Sequence, residues 1–110
     1  MTITVSIVDD DAGLRDSIAQ FLRTARGFRC VSTYASADLA LAGLPQDRAD
    51  VVLMDINMPG VDGIECARRL KAAVPGTHIL MLTVYEDADR IFRALAAGAS
   101  GYMLKRVAPP

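Results

Sequence analysis

The sequence predicts one α/β domain built on a doubly wound parallel sheet, with helices on both faces. Three observations carry this. Short apolar runs of strand type alternate with stretches of helical period between residues 2 and 104. That alternation calls for parallel strands joined by right-handed crossovers. The third run, Val51-Val52-Leu53-Met54, is apolar at every position, as a strand covered on both faces must be. Finally, 110 residues, 52% of them hydrophobic, suffice for one core.

The first strand is expected over 2–8. Leu14, Ile18, Phe21, Leu22 and Ala25 recur at helical spacing over 12–25, and Gly27 follows where a helix stops. A second strand covers 28–33. Ser36 caps a short helix through residue 44, and Pro45 marks its end. The third strand, 51–54, takes the central place, and Met58-Pro59-Gly60 forms a loop. Asp62 caps a helix to about residue 73, with Ile64, Ala67, Leu70 and Val74 inward. A fourth strand spans 77–82. The helix over 86–97 starts at Glu86, turns Ala88, Ile91, Phe92 and Leu95 inward, and stops at Gly98. A fifth strand covers 101–104, and 106–110 carry no pattern. A doubly wound unit closes with a helix after its last strand. None is read here, so an exposed apolar patch, or a partner chain covering it, is expected near strands four and five.

Composition excludes several classes. A formal net charge of -1 offers no basic surface for nucleic acid. No apolar run approaches the roughly 20 residues that span a bilayer. The start lacks a charged region followed by a long apolar one, so no signal peptide is expected and the protein is read as cytoplasmic, without membrane partners. Cys30 falls in a strand and Cys66 in a helix, with no CxxC spacing; both are expected as buried free thiols.

Chemistry gathers where the apolar runs stop. Ser6-Ile7-Val8 runs into Asp9-Asp10, Val51-Val52-Leu53-Met54 into Asp55, Ile79-Leu80-Met81-Leu82 into Thr83, and Gly101-Tyr102-Met103-Leu104 into Lys105. Parallel strands bring these ends to one edge of the sheet, where open α/β sheets hold their sites. Each residue alone has a structural explanation. Asp at 9–11 caps a helix, Asp55 with Pro59-Gly60 makes a turn, Thr83 is an ordinary strand residue, and Lys105 is a solvated end. Together they line one edge as acid pair, acid, hydroxyl and amine. Carboxylates a few Å apart repel by about 1 kcal/mol per pair at a water-like dielectric and about 4 at a protein-surface value. A hard divalent cation relieves this, and Mg2+ prefers oxygen ligands. Asp55, between the acid pair and Thr83/Lys105, then stands as a nucleophile toward phosphorus. Lys105 supplies a point charge and Thr83 a hydroxyl to phosphoryl oxygens. Phosphoryl transfer demands little beyond in-line positioning and charge neutralisation.

The stretches Ile7-Val8-Asp9-Asp10, 52–63 (from Val52-Leu53-Met54-Asp55 to Asp62-Gly63), Leu80-Met81-Leu82-Thr83 and 98–105 (from Gly98-Ala99-Ser100 to Lys105) resemble the receiver domain of bacterial two-component response regulators. The resemblance spans almost the whole chain. Ala99-Ser100-Gly101-Tyr102 is similar to regulators of the LuxR/NarL type, which carry a helix-turn-helix output domain. It implies a CheY-like, flavodoxin-type fold of strand order 2-1-3-4-5 without its final helix. Residues 1–110 are then a C-terminally truncated receiver domain, with no output domain in this chain. It further implies that Asp55 accepts a phosphoryl group from a sensor histidine kinase to control an output, transcription. Mg2+ is implied as cofactor, held by Asp10 directly, by Asp9 directly or through water, by Asp55, and by the backbone carbonyl of Asn57. Thr83 and Lys105 would contact the phosphoryl group. Tyr102 takes the switch position, its ring turning inward as Thr83 is drawn toward the phosphoryl group. Catalysis is limited to Mg2+-dependent self-phosphorylation and self-dephosphorylation. Homodimerisation is a further implied contact, and DNA is met only through an output domain outside this chain.

The sequence departs from the family pattern in places. Arg106 follows Lys105 where many receivers place a proline in a cis peptide, so a trans bond is expected. Val84 follows Thr83 where a small residue is usual, which narrows access to the acceptor. Asn57 and Tyr85 take positions at the mouth that tune attack by water. Two other functions stand beside the leading one. A phosphatase with an aspartyl nucleophile, of the haloacid dehalogenase kind, wants a second acid where Asn57 stands. A non-phosphorylated pseudo-receiver, an interaction module, has no need of the intact acid pair, Asp55, Thr83 and Lys105. A dinucleotide site is excluded, because no GxGxxG follows the first strand.

Overall fold

Residues 1–84 and 88–105 are described by a computed structural model. Its strands are β1 (Ile3–Val8), β2 (Phe28–Tyr34), β3 (Val51–Asp55), β4 (His78–Thr83) and β5 (Gly101–Leu104). All pairs are parallel, in the order β2-β1-β3-β4-β5. The chain winds outward from β1 to β2, then turns back through β3 to β5. The reversal falls between β1 and β3, the position at which such sheets open a crevice. Register aligns the strand ends: Val8 pairs with Met54, Asp55 with Leu82, and Thr83 with Leu104.

The helices are α1 (Ala12–Thr24), α2 (Ala37–Asp47), α3 (Gly63–Ala73) and α4 (Ala88–Ala96). Three start on side-chain caps. Asp11 Oδ1 accepts the Leu14 N–H at 3.1 Å, Ser36 Oγ that of Leu39 at 3.2 Å, and Asp62 Oδ1 that of Glu65 at 2.9 Å. Alternation along the strands separates two cores. Val8, Val52, Met54, Ile79 and Met81 pack with Ala40 and Leu44 of α2 and Ala67 and Leu70 of α3. On the other face, Val5, Ile7 and Leu22 form a smaller cluster with Val51 and Leu53.

Several expectations need correction. Pro45 lies inside α2, which continues to Asp47. A proline near a C-terminus removes only one hydrogen bond. The Tyr34 hydroxyl donates to the Asp47 carboxylate and anchors the extra turn, which Arg48 closes in a left-handed conformation at φ 52°. Phe21 and Phe92 face solvent, at 69% and 70% exposure, and Leu95 and Ala88 are exposed too. Helix α4 meets the core through Ala94, and Ile91, one turn earlier, is half-buried. Phe92 lies about 200° round the helix from Ala94 and therefore points away. Both thiols are free, but only Cys66 is buried; Cys30 is half-buried. Glu86, Tyr85 and Arg106 lie outside the described residues, and no cis peptide bond occurs among those described. No helix among the described residues is long and apolar enough to cross a membrane.

Among the described residues, an apolar groove lies beside strands four and five, where the exposed patch is expected. A groove of about 570 Å³ is lined by Leu53, Leu80, Leu82 and Met103 across the sheet, with Phe21 and Leu22 of α1 on its flank.

Candidate functional site

The carboxyl edge of the sheet is held past the formal strand ends. The Ile56 N–H donates to the Leu82 carbonyl at 3.0 Å, and the Lys105 N–H to that of Thr83 at 2.7 Å. Helix α3 closes on this edge through Gly63, whose N–H donates to the Ile56 carbonyl at 2.9 Å. A Cβ at Gly63 would stand 1.9 Å from the Asp55 carbonyl oxygen. Only glycine therefore lets the helix start this close to the end of β3.

Asp9, just beyond β1, is fully buried, and Asp55, the last residue of β3, is nearly so. The Asp9 N–H donates to the Tyr34 carbonyl at 3.0 Å, and its own carbonyl accepts from Arg15 Nη1 at 2.8 Å. Asp9 Oδ1 accepts the Asp11 N–H at 2.9 Å. Asp9 Oδ2 accepts a charge-assisted hydrogen bond from the Lys105 ammonium, whose Nζ stands 2.7 Å away. Lys105 Nζ also lies 3.1 Å from Asp55 Oδ1, and that oxygen accepts the Asn57 N–H at 3.1 Å.

Asp9, Asp10 and Asp55 each bring a carboxylate oxygen within 4.8 Å of the others; Asp10 is the exposed member. One ammonium faces three acids, so the cluster stays net negative. Burial lifts the Asp55 carboxyl to about 6 and the nearby Asp9 charge adds to this, against the opposing pull of Lys105 and the Asn57 N–H. Burial on its own would lower the Lys105 ammonium, but its bonds to Asp9 and Asp55 outweigh that and raise it. An all-oxygen, net-negative set of three carboxylates, two of them buried, fits a hard divalent cation.

Of the residues singled out from sequence, Asp9, Asp10, Asp55 and Lys105 come together at this edge. Thr83 ends the neighbouring strand and is buried. Val84, one residue on, is exposed. Asn57 is exposed at the mouth, its Oδ1 accepting from Arg90 Nη1 at 2.6 Å. Tyr102 sits on β5 opposite Met81, 45% exposed. Sequence reasoning missed Arg15, Arg90 and the steric need for Gly63. Arg15 lies one helical turn after the cap Asp11, which hinted at proximity. Nothing along the chain links Arg90 to residue 57.

Comparison with known proteins bears on this arrangement. Residues 5–110 match the family described as "Response regulator receiver domain". Over 105 residues the chain is 36% identical to response regulator protein VraR of Staphylococcus aureus, covering 96% of this chain and 50% of that protein. The chain thus spans about half the length of the curated relatives it matches. A LuxR-family two-component response regulator from Aurantimonas sp. SI85-9A1 superposes with a TM-score of 0.91 at 29% identity, covering 99% of this chain and 78% of that one. Vibrio cholerae chemotaxis protein CheY4 superposes with a TM-score of 0.86 at 31% identity, covering 97% of this chain and 89% of that one.

Proposed function

The chain belongs to the response regulator receiver domain family, and from that premise we propose that Asp55 accepts a phosphoryl group from a sensor histidine kinase and that the chain relays the change to an output. The observation that carries this is the convergence of Lys105 on Asp9 and Asp55, at 2.7 and 3.1 Å, in a buried acidic edge. Asp55 stays largely ionised at neutral pH even with its carboxyl lifted to about 6, so it remains a nucleophile. Its oxygen forms a bond to phosphorus as the phosphorus–nitrogen bond of the donor histidine breaks. Lys105, already charged and close, transfers its contact to a phosphoryl oxygen. The Thr83 hydroxyl donates to another, and the Tyr102 ring, partly exposed here, turns inward as Thr83 moves.

Mg2+ is the cation we assign to the acidic cluster, held by Asp10, by Asp9 directly or through water, by Asp55 and by the Asn57 carbonyl; when bound it neutralises the acids and the incoming phosphoryl oxygens. In this reading residues 1–110 form the receiver unit of a cytoplasmic regulator. Self-phosphorylation and self-dephosphorylation are its only catalysis. A DNA-binding output domain of the LuxR/NarL type lies outside this chain, and homodimers form on activation. A phosphatase reading gains nothing from position 57, where the Asn57 amide accepts from Arg90.

Incubating the chain with Mg2+ and a small acyl phosphate tests the proposal by intact mass. One added phosphoryl group is expected. A folded wild-type chain that takes up none would support the pseudo-receiver alternative, and uptake that persists in Asp55→Asn would refute the acceptor assignment.

A further inference from the structure

The mouth of the acceptor site carries a contact between elements far apart in sequence. Arg90 Nη1, on α4, donates to Asn57 Oδ1 at 2.6 Å across 33 residues. Asn57 in turn gives its backbone N–H to Asp55 Oδ1 at 3.1 Å. A single residue therefore separates the Arg90 guanidinium from the acceptor carboxylate. Asn57 is exposed and Arg90 half-buried, so the contact lies at the surface.

A carboxamide offers one acceptor oxygen and one donor nitrogen. Water attacking phosphorus is oriented by a side chain able to accept its proton in a hydrogen bond, a role that carboxamides fill in phosphoryl hydrolysis. At this mouth Asn57 Oδ1 is such an acceptor, and Arg90 takes one of its two lone pairs and turns the carboxamide oxygen toward α4. Resting on the reading of Asp55 as phosphoacceptor, we propose that Arg90 is a positioning residue that holds Asn57 Oδ1 turned toward α4 instead of toward attacking water and so prolongs the life of the aspartyl phosphate. In the hydrolysis it restrains, the water oxygen bonds to phosphorus and the phosphorus–oxygen bond to Asp55 breaks. Asp55 leaves as carboxylate with the electron pair, and the proton of the water passes to solvent. Guanidinium stays charged at every working pH, so the restraint is independent of pH.

The test loads the chain with a small acyl phosphate and Mg2+, removes the donor, and follows loss of the phosphoryl group by intact mass. Arg90→Ala is expected to shorten the half-life about 2- to 10-fold, the worth of one such hydrogen bond. Arg90→Lys, which keeps a donor, is expected to restore most of it. Arg90 has a further interaction besides this one, so the deciding comparison is made in the Asn57→Ala background. There, Arg90→Ala should change nothing. An unchanged half-life in Arg90→Ala, or an equal acceleration with and without the Asn57 side chain, overturns the inference and leaves Asp55 as acceptor. A wild-type chain that takes up no phosphoryl group overturns both.

Discussion

The Lys105 ammonium lies 3.1 Å from Asp55 Oδ1, a contact between the last residue of β3 and the first beyond β5. It spans the width of β4 and sets the edge of the sheet as one charged unit rather than a row of caps. Asp9 Oδ2, on a fully buried side chain, shares the same ammonium at 2.7 Å. Three acids and one base in this geometry are left net negative.

Removing the base should therefore destabilise the cation-free protein. Lys105→Ala leaves Asp9 buried with its charge unpaired, and deleting one partner of a buried pair costs about 3–5 kcal/mol. Lys105 retains some solvent access, so a loss of about 2–3 kcal/mol in urea unfolding is expected. Added Mg2+ should recover part of it.

Asp55 sets a pH dependence of definite sign. Its carboxyl stands at about 6 when folded against 3.8 when unfolded, so the native state holds its proton more tightly. The contribution of this group is most favourable below about pH 4 and is lost as pH rises toward 6. Asp55→Asn removes that loss. Urea midpoints should show the variant gaining on wild type between about pH 4 and 6, then a constant margin of about 1–2 kcal/mol after allowance for solvent screening.

Cation binding should read out in stability as well as in chemistry. Mg2+ at a hundredfold excess over its Kd raises stability by about 2.7 kcal/mol if it binds only the folded chain. Asp10 is exposed, so Asp10→Asn should leave the cation-free melting temperature within a degree or two while abolishing the Mg2+-induced rise. Equal rises in both proteins would contradict the assigned ligand set.

Gly63 tests how the site is framed. Gly63→Ala drives a Cβ onto the Asp55 carbonyl oxygen at 1.9 Å and should cost more than about 3 kcal/mol or prevent folding. Gly76→Ala meets no atom within 4 Å and should change the thermal midpoint little.

Much of this was legible in the sequence, for physical reasons. Val51, Val52, Leu53 and Met54 marked a strand buried on both faces, and parallel strands must bring Asp9, Asp55, Thr83 and Lys105 to one edge. What escaped depended on neighbours that no local pattern names. Phe21 and Phe92 fit their helical periods, yet burial follows from what stands opposite, and each faces solvent. Pro45 looked like a helix end because the Tyr34–Asp47 hydrogen bond that anchors the next turn joins two separate elements. The Arg90–Asn57 contact escaped for the same reason.

Locating the phosphoryl group tests the central claim most directly. After reaction with Mg2+ and a small acyl phosphate, peptide mapping should place one group on the peptide that contains Asp55 and none on a peptide without it. A group found elsewhere, or a folded chain that remains unmodified, would contradict it.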